Sequence, residues 1–392
     1  RTVHTGLLEY KNVYRPARVI SYDKESGELV LHNYMDFDNL KDYVKISYEL
    51  TQDGLLIGKG KLAEVSVVPH SEGKTNLQVN VPENGKCYLK LTYHLKKEMP
   101  LLEEDYILGF DEIEVSQKDA KCQLAEKWVE KTVTDSELQV SEDDTQIHIK
   151  GREFAYTIDR RTALFTEMKF AGREYLNHPM ELNIWRAPTD NDMYIKSEWK
   201  KAHYDKAYTR AYTTEVVQGK HGVKITSHAS VVAETVQKIL DVTITWKIEA
   251  AGKIDADIAV TKDDEFPDLP RFGVRMFLDK KLSAARYFGM GPQESYCDKH
   301  QAASHGLYHA NVDDLHEDYI RPQENGSHYD CEYVELNNSR YGIVVSAENA
   351  FSFNASYYTQ EELEKKTHNY ELTESDSVVF CVDYALNGIG SN

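Results

Sequence analysis

Short runs of alternating apolar and polar residues recur along nearly the whole chain, each closed by a turn dipeptide and few of them separated by a helical pattern. That punctuation constrains the fold more than any other feature. A period of two puts one face of each run on a core, and closely spaced turns leave no room for the crossover helices that parallel sheets need. Val44, Ile46, Tyr48 and Leu50 alternate before the turn "TQDG" at 51–54. Leu77, Val79 and Val81 alternate before "PENG" at 82–85, and Cys87, Leu89, Leu91, Tyr93 and Leu95 after it. The first 117 residues therefore read as strands and turns, the pattern of a β-sandwich of immunoglobulin size. A polar, helix-tolerant stretch beginning "SQKDAKCQLAEKW" (116–128) follows, and 118–138 is expected to be a linker.

Residues 139–392 continue the alternation. Phe154, Tyr156 and Ile158 lead into "DRRT" (159–162); Leu164, Thr166, Met168 and Phe170 lead into "AGRE" (171–174). Val242, Ile244, Trp246 and Ile248 precede "EAAGK" (249–253), and Ile254, Ala256, Ile258 and Val260 follow it. So long a stretch exceeds one small sandwich and predicts a large, many-stranded one. Helix signals are confined to 192–208 and to "TQEELEKKTH" at 359–368, where acids load the first half and bases the second. The fold class is all-β.

Composition narrows the function. With 46 basic against 65 acidic residues the formal charge is −19, a surface that repels phosphate backbones and excludes nucleic acid as a partner. No run approaches the ~20 apolar residues of a membrane helix, so no membrane partner is expected either. Five scattered cysteines without a CxxC pair suit a reducing compartment. The 26 tyrosines fit a strand-rich chain and also half-wet surfaces that contact sugars. The chain opens on Arg1 without an initiator methionine, as a fragment or processed piece would. Three N-x-S sequons, at Asn325, Asn337 and Asn354, bear on glycosylation only in a secreted eukaryotic protein.

Most catalytic signatures are missing. There is no G-x-S-x-G elbow, and "GKGK" at 58–61 lacks phosphate-loop spacing and reads as a polar edge. His305 and His309 are four apart, but Gly306 lies between them and no H-E-x-x-H motif is formed, so surface or strand histidines are the better reading. Paired carboxylates remain, because a retaining glycosidase uses two at ~5–5.5 Å. Asp190, Asp192, Glu294 and Glu324 sit beside proline- or glycine-rich turns, where an Asx turn or a loop-closing ion pair uses them equally well. In "WRAPTDND" (185–192) Arg186 can hold a carboxylate bidentately, Trp185 can stack on a sugar or fill a core, and Asp190, Asn191 and Asp192 can cap a helix starting near 193.

Together these motifs resemble the C-terminal portion of a bacterial glycoside hydrolase family 2 β-galactosidase. The resemblance is carried by "WRAPTDND", by "GMGPQESYCDKHQAA" (289–303; Gly289, Gly291, Pro292, Glu294, Tyr296, Asp298), by "YIRPQENG" (319–326; Pro322, Glu324, Asn325, Gly326), by "FSFNASYYTQEELEKKTH" (351–368) and by "GIGSN" (388–392). "HTGLLEYKNVYRPARV" (4–19) is similar to the passage that leaves the catalytic barrel. The resemblance implies an immunoglobulin-like domain, then a galactose-mutarotase-like β-supersandwich. It places the catalytic glutamates, and the magnesium and sodium sites, in a barrel upstream of Arg1, so no catalytic residue, metal ligand or cofactor is expected in this chain. Some family members place an active-site aromatic beyond the glycine motif. The implied partners are that barrel, a β-galactoside sugar bound by the complete enzyme, and further copies in a homo-oligomer; the implied compartment is the bacterial cytoplasm. The chain would complete the rim of the sugar pocket, through a segment from Asp192 to about Lys201, and be inactive alone. The residues assigned to substrate are Trp185, Arg186, Asp190, Asn191, Asp192, Glu294 and Asn325, with positioning of the rim loop the favoured role for Trp185, Arg186, Asp190 and Asp192. A free-standing carbohydrate-binding module, with Trp185, Trp246 and tyrosines as platforms, and a mutarotase-like epimerase are the alternatives.

Overall fold

Turn chemistry sets the first sandwich. In a computed structural model that describes residues 3–129, 138–235 and 238–390, strand Val44–Gln52 turns through Asp53 and Gly54, both at positive φ, into Leu55–Lys61. That two-residue turn matches the twist of its strands, as the sequence predicted. Gly54 is needed twice over, since a Cβ there would also lie 2.5 Å from the backbone nitrogen of Leu307. The hairpin joins Cys87–Leu95 and Ile107–Glu114 in a four-stranded antiparallel sheet, and a three-stranded sheet of Ala17–Tyr22, Glu28–Asn33 and Glu72–Asn76 covers it. Leu29 and Leu31 from one sheet and Ile46, Leu89, Leu91 and Tyr93 from the other form a single core.

The expected strand at 77–81 is absent. Pairing with Glu28–Asn33 ends at Asn76 because the partner strand turns away at Gly27. Leu77 is still buried, and Val79 and Val81 pack on the core without a ladder. Two helices also went unread as helices. Thr5–Val13 precedes the first strand, and Gln123–Val129 lies inside the region expected as a linker, of which 130–137 lie outside the described residues.

The second, larger body has three antiparallel sheets around one core. Five strands run from Gln139–Glu142 to Arg173–Glu174, and four from Tyr208–Gln218 to Ile254–Lys262. The last of these is an edge strand, so Ala256 and Val260 are exposed where alternation predicted burial. The seven-stranded sheet is ordered Leu176–Asn183, Arg271–Asp279, Ser377–Leu386, Gly342–Ser356, Ser327–Asn337, Ala284–Gly291, Ser304–Asn311. The helix expected over 192–208 is broken into a 3-10 turn (Asp190–Met193), a helix (Ile195–Lys201) and a second 3-10 turn, with His203 in a left-handed conformation between the last two. The second predicted helix is present at Gln360–Lys365, capped by the Thr359 hydroxyl. No described helix is long and apolar enough to cross a membrane.

The two bodies meet along the edge strand Ser304–Asn311. His305 Nδ1 lies 2.6 Å from Glu112 of the small sandwich and Nε2 lies 2.9 Å from Asp330 of the large one, while the ring stacks flat on Tyr88 at 4.1 Å. Burial alone would lower the imidazole pKa, but Asp330 and Glu112 outweigh it and push His305 up to about 9. Helix Thr5–Val13 spans the same seam. Its Glu9 accepts the backbone N–H groups of Gln301 and Ala302, and its Asn12 bonds both Gln301 O and Phe110 N. The opposite side of this helix shows Leu7, Tyr10 and Tyr14 to solvent. It is polar where it docks and apolar where it is bare.

Candidate functional site

Strand Leu176–Asn183 delivers the chain into the polar loop that the sequence singled out. Asn183 Oδ1 accepts Trp185 N–H, and Trp185 turns into the core edge-to-face against Trp199 at 6.4 Å. Arg186 is fully buried beneath the loop. Its guanidinium takes Asp192 as a fork, at 2.6 and 3.1 Å, and gives its remaining edge to the carbonyls of Asn387 and Gly388 at 2.8 and 2.9 Å. Asp192 also accepts Thr189 N–H and hydroxyl, closing a capping box around the 3-10 turn. The cap residue is thus Thr189, and Asp192 serves three positions inside the turn rather than ahead of a helix.

A second loop, 316–326, locks onto the first. Glu324 N–H bonds Ala187 O, and Glu324 Oε2 accepts Ala187 N–H, both at 3.0 Å. Its Oε1 meets Arg271, which also forks onto Asp383 at 2.6 and 3.0 Å. Burial opposes the charge on Arg271, but Asp383 and Glu324 outweigh it and push the guanidinium further up. Asn325 is spent on the loop itself, accepting Glu317 N–H and donating to Gln323 O. Glu294 sits deeper, with Lys299, Tyr319 and Thr5 on one oxygen and Gly326 N–H and Tyr296 on the other. Burial would raise this carboxyl, but Lys299, Tyr319 and Gly326 pull it below its ordinary value, so it is ionised.

Where the two loops reach the surface they leave a cleft of about 280 Å³, lined by Pro188, Thr189, Asp190, Met193, Lys196, Arg321, Pro322 and Gln323. Asp190 N–H bonds Gln323 Oε1 across it. Two cations, one carboxylate, an amide and a hydroxyl face a polar hollow of monosaccharide scale, a set suited to hydroxyl-bearing ligands. Another hollow, about 190 Å³, lies in the small sandwich among Leu40, Val44, Ile46, Leu62 and Val65, and none of the residues lining it belongs to a motif of the resemblance. Among the described residues no three His, Cys, Asp or Glu side chains converge as a metal ion requires.

The sequence model of the beta galactosidase small chain matches residues 150–392, and that of beta-galactosidase domain 4 matches residues 29–116. The chain belongs to the beta-galactosidase small chain family. It is 42% identical to a beta-galactosidase of Actinobacillus pleuropneumoniae over all of this chain and 38% of that protein. Similar matches are a beta-galactosidase of Staphylococcus xylosus, 29% identical over all of this chain and 39% of the relative, and one of Pseudoalteromonas haloplanktis, 24% identical over all of this chain and 38% of the relative. The chain therefore spans under two-fifths of the length of these relatives.

Within this small-chain fold, the seven residues assigned to substrate part company. Of them only Asp190 lines the cleft. Asn191 is exposed but turned to the C-terminal segment, donating to Ile389 O at 2.7 Å. Trp185, Arg186, Asp192, Glu294 and Asn325 are buried. For Arg186 and Asp192 charge pairing makes burial tolerable: an arginine and a carboxylate so close neutralise each other and can leave water together. From the expected rim segment, Met193 and Lys196 do line the cleft. Arg321 and Gln323 were not singled out by the sequence reading, although both lie inside the "YIRPQENG" stretch that was.

Proposed function

We propose that this chain is the C-terminal accessory region of a β-galactosidase that hydrolyses terminal non-reducing β-D-galactose residues by the retaining, two-carboxylate route, and that its cleft forms part of the rim of the sugar pocket. The carboxylate distribution carries this reading. A retaining site needs two free carboxylates ~5–5.5 Å apart, whereas the motif carboxylates Asp192, Glu294 and Glu324 are each buried and consumed by a cation and by N–H groups, and the cleft lining holds Asp190 as its one carboxylate. Cleavage then belongs to the barrel implied by the resemblance, along with magnesium and sodium. The bare apolar side of helix Thr5–Val13 supports a partner at that end of the chain, and the barrel is the partner we assign to it. The five free thiols suit the cytoplasm of a bacterium.

The test is kinetic. In the full-length protein, Arg321→Ala together with Lys196→Ala should raise KM for a nitrophenyl β-galactoside about tenfold, the effect of losing one or two charge-assisted hydrogen bonds, with kcat little changed. The isolated chain should show neither hydrolysis nor saturation transfer from galactose. Hydrolysis by this chain alone would sink the accessory reading, and accelerated anomer exchange would replace it with an epimerase.

A further inference from the structure

The C-terminal segment 387–390 lies outside any regular pairing with a neighbouring strand, yet its backbone is satisfied from both sides. One side is a carboxylate. Asp298 accepts Ile389 N–H at 3.0 Å and Gly390 N–H at 2.7 Å. The other side is a set of donors: Arg186 Nη1 bonds the carbonyls of Asn387 and Gly388, and Asn191 Nδ2 bonds that of Ile389. An anion thus meets the amides and a cation and an amide group meet the carbonyls, which is the polarity a backbone strip presents. The two glycines of the tail have a steric reason. A Cβ on Gly388 or Gly390 would come within 2.3 or 2.7 Å of the Asp298 carboxyl.

Every tail contact on the donor side comes from the loop that shapes the cleft. Asn191 stands between Asp190, which lines the cleft and bonds Gln323, and Asp192, which closes the turn. Arg186 holds that same Asp192 with its other edge. Asp298 itself is exposed, far along the chain, and outside the cleft lining.

We propose that Asp298 is a positioning residue for the cleft: it pins the tail, and the pinned tail braces the 190–193 turn that forms one cleft wall. If the tail is released, Asn191 loses its acceptor. Buried Arg186 loses two of its four hydrogen bonds and its grip on Asp192 is no longer fixed in direction. The wall carrying Thr189, Asp190 and Met193 then moves relative to Arg321 and Gln323.

The experiment is amide hydrogen exchange on the full-length protein with Asp298→Ala and Asp298→Asn. Because Asp298 is exposed, both variants should fold. Asp298→Ala is expected to speed exchange about tenfold in the tail and in the 189–193 segment alike, on the scale of a lost charge-assisted bond, while strand Ser304–Asn311 keeps its protection. Asp298→Asn should fall between, since an amide oxygen replaces only one acceptor. A freed tail with an unchanged 189–193 segment overturns the brace, and so does an unchanged tail. A second arm rests on the function proposed above: Asp298→Ala should raise KM for the β-galactoside about fivefold with kcat held. An unchanged KM beside a raised one in the Arg321 variant sinks the positioning role and keeps the function. Absence of hydrolysis in the unmutated full-length protein sinks the function, and the exchange arm still decides the brace.

Discussion

The ion cluster under the cleft loops and the one at the seam between the bodies both hide charge, but they are made of different bases. Arg186, Arg271, Asp192, Asp383 and Glu324 are at most 1% exposed in their side chains. Arginine does not lose its proton in a protein, so the two cations of that cluster stay charged throughout the ordinary pH range. At the seam a histidine takes the central place, between a Glu112 that is 12% exposed and an Asp330 that is 39% exposed. The interior of the large sandwich is thereby fastened permanently, while the joint between the bodies is fastened conditionally.

The largest effect should come from cutting the permanent cluster. Arg271→Met leaves Glu324 and Asp383 buried without their cation and should cost about 3–5 kcal/mol in urea unfolding. A loss under about 1 kcal/mol would mean that water already reaches the cluster. Next is the seam. The His305 pKa is raised on folding from 6.5 to about 9, so its stabilisation is complete below about pH 6.5 and disappears as pH rises through about 9. Stability measured from pH 6 to 10 should fall by about 1–3 kcal/mol on this account, and His305→Gln should flatten that slope. An identical slope in the variant would assign it to other groups.

Asn12→Ala, which strands Gln301 O and Phe110 N–H, should cost about 1–2 kcal/mol. Leu7→Ser, one turn away on the bare side of the same helix, should change the isolated chain by no more than about 0.5 kcal/mol. Equal losses would contradict the inverted polarity of that helix. The smallest effect is expected at the exposed pair of His178 and Asp376, where Asp376→Asn should shift stability by less than about 0.5 kcal/mol.

What the sequence announced and what it hid follow from the range of the interactions. The Asp53–Gly54 and Ala171–Gly172 turns are local events, and both stand where their residues predict. Helix Thr5–Val13 is not local. It has no side-chain cap, and its buried residues Thr5 and Asn12 are polar, so amphipathic reading finds no core face. The strand expected at 77–81 failed because pairing belongs to two strands and one had turned away. For the site, the polar loop 184–192 was legible as a rigid element, but not the direction of its side chains. Arg186 and Asp192 neutralise each other out of water, and only the fold brings them beside the carbonyls of 387 and 388. Lys196 and Arg321 look in sequence like any exposed cations, since what sets them apart is a shared hollow.

The inverted helix has a further consequence, in time rather than space. Thr5 bonds a residue 289 positions later and Glu9 one 292 positions later. At ~5–20 residues per second, Glu294 leaves the ribosome about 15–60 s after Thr5. Nine residues are fewer than the ~12–15 that sustain a helix in water alone. The segment therefore gains its contacts to Glu294 and Gln301 only after the strand Ala284–Gly291 and its following turn have been made. A spectroscopic probe at Tyr10 or Tyr14 would therefore report the moment at which the two ends of the chain are joined.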